Sequence, residues 1–138
     1  MANVSWQDAR DQRKYKDDGK PSATYLNRVP NRPWLFGAAE VDYTFHEVGL
    51  KHSSLRLEGS YQWVHWYFLT WEAYGSKESK AQIPAQHVVN AGVTYSLENG
   101  KYNLSVSCDN LFDKLVYDHY KLQKPGRSFF LKFRVFLN

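Results

Sequence analysis

Five segments of this 138-residue chain alternate apolar and polar side chains with a period of two. Successive side chains of a β-strand point to opposite faces of a sheet, so each segment predicts a strand with one apolar face. No segment has the 3.6-residue period of an amphipathic helix. The pattern therefore predicts an all-β fold, an antiparallel meander of about five strands. The five apolar series begin at Leu35, Leu55, Val89, Tyr102 and Phe129.

The pair Asn99-Gly100 lies between two of these segments and is the strongest two-residue hairpin signal, because both turn positions need positive φ. Folding the chain about this pair opposes apolar to apolar and polar to polar side chains on every rung. A slip of one residue would invert that match. The predicted partners are Glu98 with Lys101, Leu97 with Tyr102, Ser96 with Asn103, Tyr95 with Leu104, Thr94 with Ser105, Val93 with Val106, and Ala91 with Cys108.

Charge and composition exclude few classes of function. A formal net charge of +4 is too mild to indicate a nucleic-acid partner. The single cysteine, Cys108, cannot form an internal disulfide. Residues 1–33 are polar and rich in turn residues, and we expect a loop or arm there, followed by strands over 34–138. No window approaches the roughly 18 apolar residues of a spanning helix, whereas the strands of a membrane barrel carry a weaker hydropathy signal and are not excluded.

The connections between the predicted strands differ in length. The 46–53 connection and the Asn99-Gly100 turn are short, whereas 72–86 and 111–126 are long and polar. Short turns at one end of a sheet and long loops at the other are typical of outer-membrane barrels. A soluble up-and-down barrel can share this layout.

The stretch 61–74, YQWVHWYFLTWEAY, holds three of the five tryptophans. Three interpretations fit it: an aromatic belt at a membrane interface, the core of a soluble sandwich, or a platform that stacks on sugar rings or bases. We favour the belt, because Trp and Tyr suit the boundary between hydrocarbon and headgroups. The scattered basic residues argue against the stacking platform.

The carboxyl-terminal third carries NLFDK at 110–114 and PGR at 125–127, followed by a strand that ends near Phe136. In this order and spacing the motifs resemble the end of a TonB-dependent outer-membrane receptor. NRVPNRPWLFG at 27–37 and IPAQ at 83–86 resemble the Bacteroidetes-type members. The motif residues that carry the resemblance are Asn110, Leu111, Phe112, Asp113, Pro125, Gly126, Arg127 and Phe136.

The resemblance implies a 22-stranded transmembrane barrel with an amino-terminal plug. At about 28 residues per strand such a barrel needs roughly 600 residues, so we expect this chain to be a carboxyl-terminal fragment of the barrel. The implied work of the whole receptor, at the bacterial outer membrane, is uptake of a metal chelate or a glycan; the fragment alone would be inactive. The implied partners are outer-membrane lipid, the rest of the barrel and plug, and an energy-coupling complex reached through the full receptor.

The resemblance also implies the orientation of the strand predicted over 55–71, which would run outward. The positions that would then face lipid are Leu55, Leu57, Tyr61, Trp63, Tyr67 and Trp71. Those that would face the lumen are Arg56, Glu58, Ser60 and Gln62. It further implies that Asp113 and Arg127 flank the last outer loop, where Arg127 could pair with a carboxylate or with loop carbonyls. The expected membrane-interface aromatics are Trp34, Tyr61, Trp63, Trp66, Tyr67 and Trp71.

No motif in the sequence indicates an enzyme. The five histidines show no zinc-ligand spacing, and there is no phosphate-binding glycine loop or nucleophile elbow. We therefore expect no catalytic residue, no metal and no cofactor. The alternative to the barrel fragment is a self-contained soluble β-barrel or sandwich that binds a small ligand or sugar. That alternative requires the apolar faces of the strands to converge on one interior.

Overall fold

The computed structural model describes residues 1–74, 82–118 and 122–137, and these residues form two antiparallel sheets. The large sheet has six strands in the order β1-β2-β3-β6-β7-β8, and the small sheet pairs β4 with β5. No α-helix occurs in the described ranges, which contain one 3-10 turn at Glu72–Tyr74. The strands are β1 Ala2–Trp6, β2 Leu35–His46, β3 Ser54–Val64, β4 Tyr67–Phe68, β5 Gln82–Ile83, β6 Gln86–Leu97, β7 Tyr102–Asp109 and β8 Ser128–Val135.

The all-β antiparallel fold is confirmed, and each of the five predicted strands is present. The sheet is a meander, since each strand of the six lies beside the strand that precedes it in the large sheet. The sheet does not close on itself, because β1 and β8 are its two edges and do not pair with each other. The predicted place of these strands in a closed barrel therefore stays a proposal.

The hairpin register predicted from Asn99-Gly100 is confirmed. Leu97 pairs with Tyr102, and the same register continues to the pair of Ala91 with Cys108. Both turn residues have positive φ, 55° for Asn99 and 88° for Gly100. Cross-strand hydrogen bonds join the polar rungs, as in the 2.9 Å contact between Thr94 Oγ1 and Ser105 Oγ.

Two strand boundaries differ from the sequence prediction. Residues 2–6 form β1, paired with residues 35–39 of β2, where we expected part of a loop or arm. The alternation of Ala2, Val4 and Trp6 with two polar residues is only five residues long, too short to stand out in sequence. The strand expected to run to Trp71 ends at Val64. Its continuation turns away, and Tyr67–Phe68 pairs with Gln82–Ile83 instead.

The connections divide the sheet into two ends. The short connections, 47–53 and 98–101, lie at one end, which we call the turn end. The three long connections, 7–34, 65–85 and 110–127, lie at the opposite end, which we call the loop end. The predicted asymmetry is thus present, although residues 75–81 and 119–121 of the predicted loops 72–86 and 111–126 lie outside the described residues.

Candidate functional site

The strand alternation divides the large sheet into an apolar face and a polar face. The cross-strand pairs place odd-numbered residues of β2 and β3 on the same face as Val93, Val106 and Leu131. No second layer of the described residues covers this apolar face, and Val41 and Leu131 are 71% and 74% exposed. Its large exposed side chains are Val4, Trp6, Val41, Tyr43, Phe45, Leu57, Tyr61, Val93, Leu104, Val106, Phe129, Leu131, Phe133 and Val135.

The described residues enclose almost no hydrophobic core. Within ranges 1–74, 82–118 and 122–137, the buried apolar side chains are those of Tyr67, Ile83 and Cys108. The apolar faces of the strands therefore do not converge on one interior, which is what the soluble sandwich alternative requires. An exposed apolar surface of this extent marks a site of contact with a membrane or with another protein.

Aromatic side chains gather at the loop end of the sheet. The ring of His65 lies 4.6 Å from that of Trp34, 5.8 Å from Trp63 and 5.7 Å from Trp66, measured between centroids. Trp66 in turn contacts Phe68 at 5.2 Å in a T-shaped arrangement. Three of the predicted interface aromatics thus meet around His65, a residue that the sequence interpretation did not select. Their contact with a membrane interface stays a prediction.

Tyr61 and Trp71 lie apart from this aromatic cluster. Tyr61 is exposed on the apolar face, and its hydroxyl forms a 2.7 Å hydrogen bond with His87 Nδ1 of the neighbouring strand. Trp71 is half-buried between β4 and the 3-10 turn, and its carbonyl accepts a hydrogen bond from the Tyr74 amide. Tyr61 thus lies on the face where we expected it, and Trp71 belongs to the long connection rather than to a strand.

Tyr67 does not occupy the outward-facing position predicted for it. It is 6% exposed and pairs with Ile83, which is 1% exposed. Burial, and secondarily the charge of Asp118, raises the pKa of the Tyr67 hydroxyl. The prediction was wrong because it continued the alternation of β3 past Val64, whereas the small sheet turns Tyr67 inward between the connections of the loop end.

Charged side chains cross-link the 7–34 connection internally, and a main-chain hydrogen bond joins it to β4. Asp8 accepts hydrogen bonds from Arg10 Nε at 2.8 Å and Arg28 Nε at 3.2 Å, and these contacts lower the pKa of its carboxyl. The Arg28 guanidinium also lies 4.5 Å from the centre of the Trp34 ring. Further along the connection, the main-chain amide of Asn31 donates to the Phe68 carbonyl at 2.7 Å. The connection is therefore fixed to the aromatic cluster and to β4.

The two carboxyl-terminal motifs meet in space. One carboxylate oxygen of Asp113 accepts the main-chain amide of Arg127 at 2.9 Å. A Cβ atom at Gly126 would lie 2.5 Å from the same oxygen, so the glycine leaves the room that the carboxylate occupies. Asp113 and Arg127 were expected to flank the last outer loop, which is the 110–127 connection between β7 and β8. The hydrogen bond comes from the backbone of Arg127 rather than from the fork of its guanidinium.

Asn110 organises the start of the β7–β8 connection. It is 4% exposed with φ of 51°, a left-handed conformation that asparagine tolerates better than most residues. Its side chain donates to the Lys114 carbonyl at 2.8 Å and accepts the Lys114 amide at 2.9 Å. Its own amide donates to Asn90 Oδ1, and Asn90 Nδ2 donates to Ser60 Oγ at 3.0 Å. This hydrogen-bond chain ties the motif to the polar face of the sheet.

Gln86 and Asn90 are structural residues that the sequence did not identify as such. Gln86 is buried, and its side-chain oxygen accepts the Tyr117 amide at 2.6 Å. Each partner lies 20 or 31 residues away along the chain, and nothing in local spacing shows such a contact. Gln86 and Asn90 both occupy even-numbered positions of β6, the polar side of its alternation, so the strand pattern does not single them out.

The remaining motif residues lie in the 110–127 connection or directly after β8. The Leu111 amide donates to the Val89 carbonyl at 2.8 Å, and Phe112 is exposed. Pro125 is exposed ahead of β8. Phe136 follows β8, and its amide donates to the Lys101 carbonyl at 2.9 Å.

The polar face holds two hollows of opposite charge. The hollow nearer the loop end has a volume of about 350 Å³ and carries four carboxylates and one guanidinium. Arg56 lies 3.4 Å from Asp42 and 3.8 Å from Glu58 in that hollow. The hollow nearer the turn end, of about 380 Å³, is lined by Arg56, Lys132 and Arg134 and by hydroxyl side chains. The carboxylates of the first hollow are Glu40, Asp42, Glu58 and Asp109.

No family model, curated protein or solved structure matches this chain. Within the described ranges, no three histidine, cysteine or acidic side chains are grouped so as to hold a metal ion. Over the same residues, no helix has the length and apolar character to cross a membrane. The features that bear on function are therefore the two faces and the two ends of the sheet.

Proposed function

We propose that this chain is the carboxyl-terminal strand block of a TonB-dependent outer-membrane transporter in which the apolar face contacts lipid. The observation that carries the proposal is the apolar face, whose large side chains are exposed on all six strands. In water such a face costs about 25 cal/mol for each Å² of apolar surface left exposed. In a bilayer the same surface meets hydrocarbon.

The strand lengths support a membrane-spanning role. β2 and β6 each have 12 residues and β3 has 11, whereas strands of globular proteins average about 5 or 6. At about 3.3 Å per residue, β3 spans roughly 36 Å along its axis. A tilt of about 40° reduces this to roughly 28 Å, close to the apolar band of about 25 Å in outer-membrane barrels.

The distribution of aromatic side chains on the apolar face supports the same role. Trp6, Tyr61 and Trp63 lie towards the loop end, and Phe45 and Tyr102 lie towards the turn end. Smaller side chains lie between them on the rung that joins Val41, Gly59, Ala91 and Cys108 across four strands, and this rung ends at Phe129 of β8. Aromatic girdles above and below an aliphatic band are typical of transmembrane barrels, because Tyr and Trp suit the boundary between hydrocarbon and headgroups.

The open edges of the sheet support its place within a larger barrel. Strand β8 has a neighbour on one side only, and the outer edge of β2 is paired by β1 only over residues 35–39. An unpaired edge in hydrocarbon is unfavourable, because each free N–H and C=O group there costs several kcal/mol. In the proposed barrel, further strands would pair with both edges. The polar face would then line the lumen.

In the proposed transporter the chain forms wall and outer loops, and uptake of a metal chelate or a glycan belongs to the whole receptor. The NLFD and PGR motifs support this assignment, because Asp113 and Arg127 join the ends of the last two strands at the loop end. Energy would come from an inner-membrane complex acting through the plug. The chain itself would carry out no chemical step.

Depth-dependent fluorescence quenching tests the contact with lipid. A variant with Trp63 as its only tryptophan, the other four replaced by phenylalanine, is folded into vesicles of lipids brominated at different depths. We expect lipids brominated close to the headgroup to quench Trp63 more strongly than lipids brominated near the chain end. A chain that melts cooperatively as a monomer without detergent, and whose Trp63 no brominated lipid quenches, would refute the proposal.

The coding DNA upstream of the first codon tests the assignment to a receptor. We expect an open reading frame that continues through further alternating strands to a plug. A stop codon in frame directly upstream, with no such strands encoded nearby, would leave a lipid-facing sheet but would overturn the transporter assignment.

A further inference from the structure

We infer that the polar face carries a binding site for a small oxyanion, such as a phosphate or carboxylate compound, in the turn-end hollow between Arg56, Lys132 and Arg134. The site requires only the polar face of the sheet. It therefore does not depend on what covers the apolar face, and it holds whether or not the transporter proposal is correct.

The strand register places the three cations around the hydroxyl side chains of Thr94 and Ser105, which form the floor of the hollow. Lys132 pairs with Ser105, Ser105 with Thr94, and Thr94 with Arg56, so these residues form a single rung across four strands. With neighbouring strands about 4.8 Å apart, the Cα atoms of Lys132 and Arg56 are separated by roughly 14 Å. The two long side chains line the same hollow of about 380 Å³, and they leave the hydroxyl groups of the floor between them.

Two of the cations lack an anionic partner. Lys132 and Arg134 lie two residues apart on one strand and share the polar face. Within the part of the chain that the structure describes, no carboxylate lies within ion-pair distance of either side chain. The Arg134 guanidinium lies 5.8 Å from the centre of the Phe136 ring. Like charges side by side on a strand face repel each other. A bound anion would remove that repulsion.

The floor of the hollow supplies further hydrogen-bond donors. The hydroxyls of Thr94 and Ser105 contact each other at 2.9 Å, and either can be the donor. A hydroxyl carries one proton, so in such a pair one proton is used and the other remains to donate to a ligand. Ser96 donates to Asn103 at 2.7 Å, which fixes the amide at the edge of the floor. Cationic and hydroxyl donors together are what an oxyanion requires.

The charge contrast with the loop-end hollow favours an anion at the turn end. No carboxylate is among the described residues that line the turn-end hollow, whereas Glu40, Asp42, Glu58 and Asp109 line the other. Arg56 lies on the boundary and contributes to both. An anion entering the polar face is therefore repelled by the first hollow and attracted by the second.

A titration of the full chain in detergent micelles tests the site. Inorganic phosphate and succinate are added separately, with glucose as the uncharged control, and binding is followed by calorimetry and by the arginine Nε–H resonances. The site variant is Lys132→Gln/Arg134→Gln. The matched control, Lys16→Gln/Arg32→Gln, removes the same two charges from the 7–34 connection. Near-UV circular dichroism confirms that both variants retain the packing of the parent.

We expect the parent to bind at least one of the two anions, with an affinity that falls as salt is added, and to ignore glucose. The site variant should bind it at least about tenfold more weakly, since two charge-assisted contacts are lost. The variant Lys132→Gln/Arg134→Lys, which keeps the charge at position 134, should bind more tightly than the site variant and more weakly than the parent. The control variant should change the affinity by less than about twofold. Binding of succinate alone would assign the ligand to carboxylates, and of phosphate alone to phosphates.

Two results would overturn the site. One is the absence of binding of either anion to the parent at millimolar concentration; the other is equal weakening by the site variant and the control variant, which would mean attraction by net charge alone. The test is separate from the lipid experiment. Quenching of Trp63 by brominated lipid can fail while anion binding persists, and the reverse also holds.

Discussion

A single arginine placed on the apolar face tests whether that face meets lipid or water. Val106 lies in the middle of β7, is 50% exposed, and pairs with Val93 on one side and Leu131 on the other. Val106→Arg replaces a half-exposed aliphatic side chain with a charged one and disturbs no backbone hydrogen bond. Leu97→Arg is the matched control, because Leu97 lies on the same face but at the turn end, opposite Tyr102.

The register gives the depth of each substitution. Val106 is four residues from Tyr102 along β7, which is about 13 Å at 3.3 Å per residue. With a strand tilt of about 40°, this places Val106 roughly 10 Å inside an apolar band that is about 25 Å tall. An arginine close to the midplane of such a band costs about 2–4 kcal/mol, and one at its border about 0–1 kcal/mol. We therefore expect Val106→Arg to lower the folding equilibrium constant by about 30-fold or more.

The assay is unfolding by guanidinium in detergent micelles, followed by tryptophan fluorescence, for the parent and both variants. A denaturant slope shared by all three proteins shows that the same surface is exposed on unfolding. If the apolar face meets water, an arginine at either half-exposed position should change the free energy of unfolding by no more than about 0.5 kcal/mol. Equal costs for Val106→Arg and Leu97→Arg, or a cost near zero for both, would refute the reasoning.

Three further predictions concern the loop end. Gly126→Ala should lower the free energy of unfolding by about 0.5–1.5 kcal/mol, because its Cβ would lie 2.5 Å from Asp113 Oδ1 and displace that oxygen from the Arg127 amide; denaturant titration measures the loss. Asn110→Ala should cost about 1–2 kcal/mol more than Asn110→Gly in the same titration, because both remove the side-chain hydrogen bonds but only alanine is strained at φ 51°. Hydrogen bonds from Arg10 and Arg28 lower the pKa of Asp8 from 3.8, so its contribution is complete above pH 3.8 and is lost as the pH falls through the lowered pKa. The Leu26 amide donates to the Asp11 carbonyl at 2.7 Å within the same connection, and its protection from hydrogen exchange should fall in that acid range.

Each of these predictions has a control. For Gly126→Ala, a prior Asp113→Ala removes the clash, and an equal cost in both backgrounds would contradict the proposed contact. Equal stability of the alanine and glycine variants at position 110 would argue against strain as the source of the difference. For the acid range, Asp8→Asn removes the titrating group, and an unchanged dependence of Leu26 protection on pH would show that Asp8 does not hold the connection.

Much of the sheet was predictable because its determinants are local. Alternation of side chains predicts a strand from its own residues, and Asn99-Gly100 predicts a hairpin because the turn dictates the register of both flanking strands. The confirmed pairs from Leu97 with Tyr102 to Ala91 with Cys108 follow from those two facts alone. The division into a turn end and a loop end follows in the same way from the connection lengths.

The failures occurred where the chain departs from a regular pattern. In the sequence, Tyr67 continues the alternation of β3. In the structure the chain turns away after Val64, and Tyr67 pairs with Ile83. β1 reads as part of a polar arm, and its five residues become a strand because the beginning of β2 offers an edge. In both cases the partner lies far along the chain, and its availability depends on the rest of the fold.

The sequence by itself determined which residues form the long strands, which side chains share a face, and how the central hairpin is registered. These properties depend on neighbours two residues away or across one tight turn. Only the tertiary structure decided that the apolar face stays bare, that Asp113 receives the amide of Arg127, and that Lys132 and Arg134 share a hollow with Arg56. Those properties arise when segments distant in the chain come together, because hydrogen bonds and electrostatic interactions depend on distance in space rather than on separation in sequence.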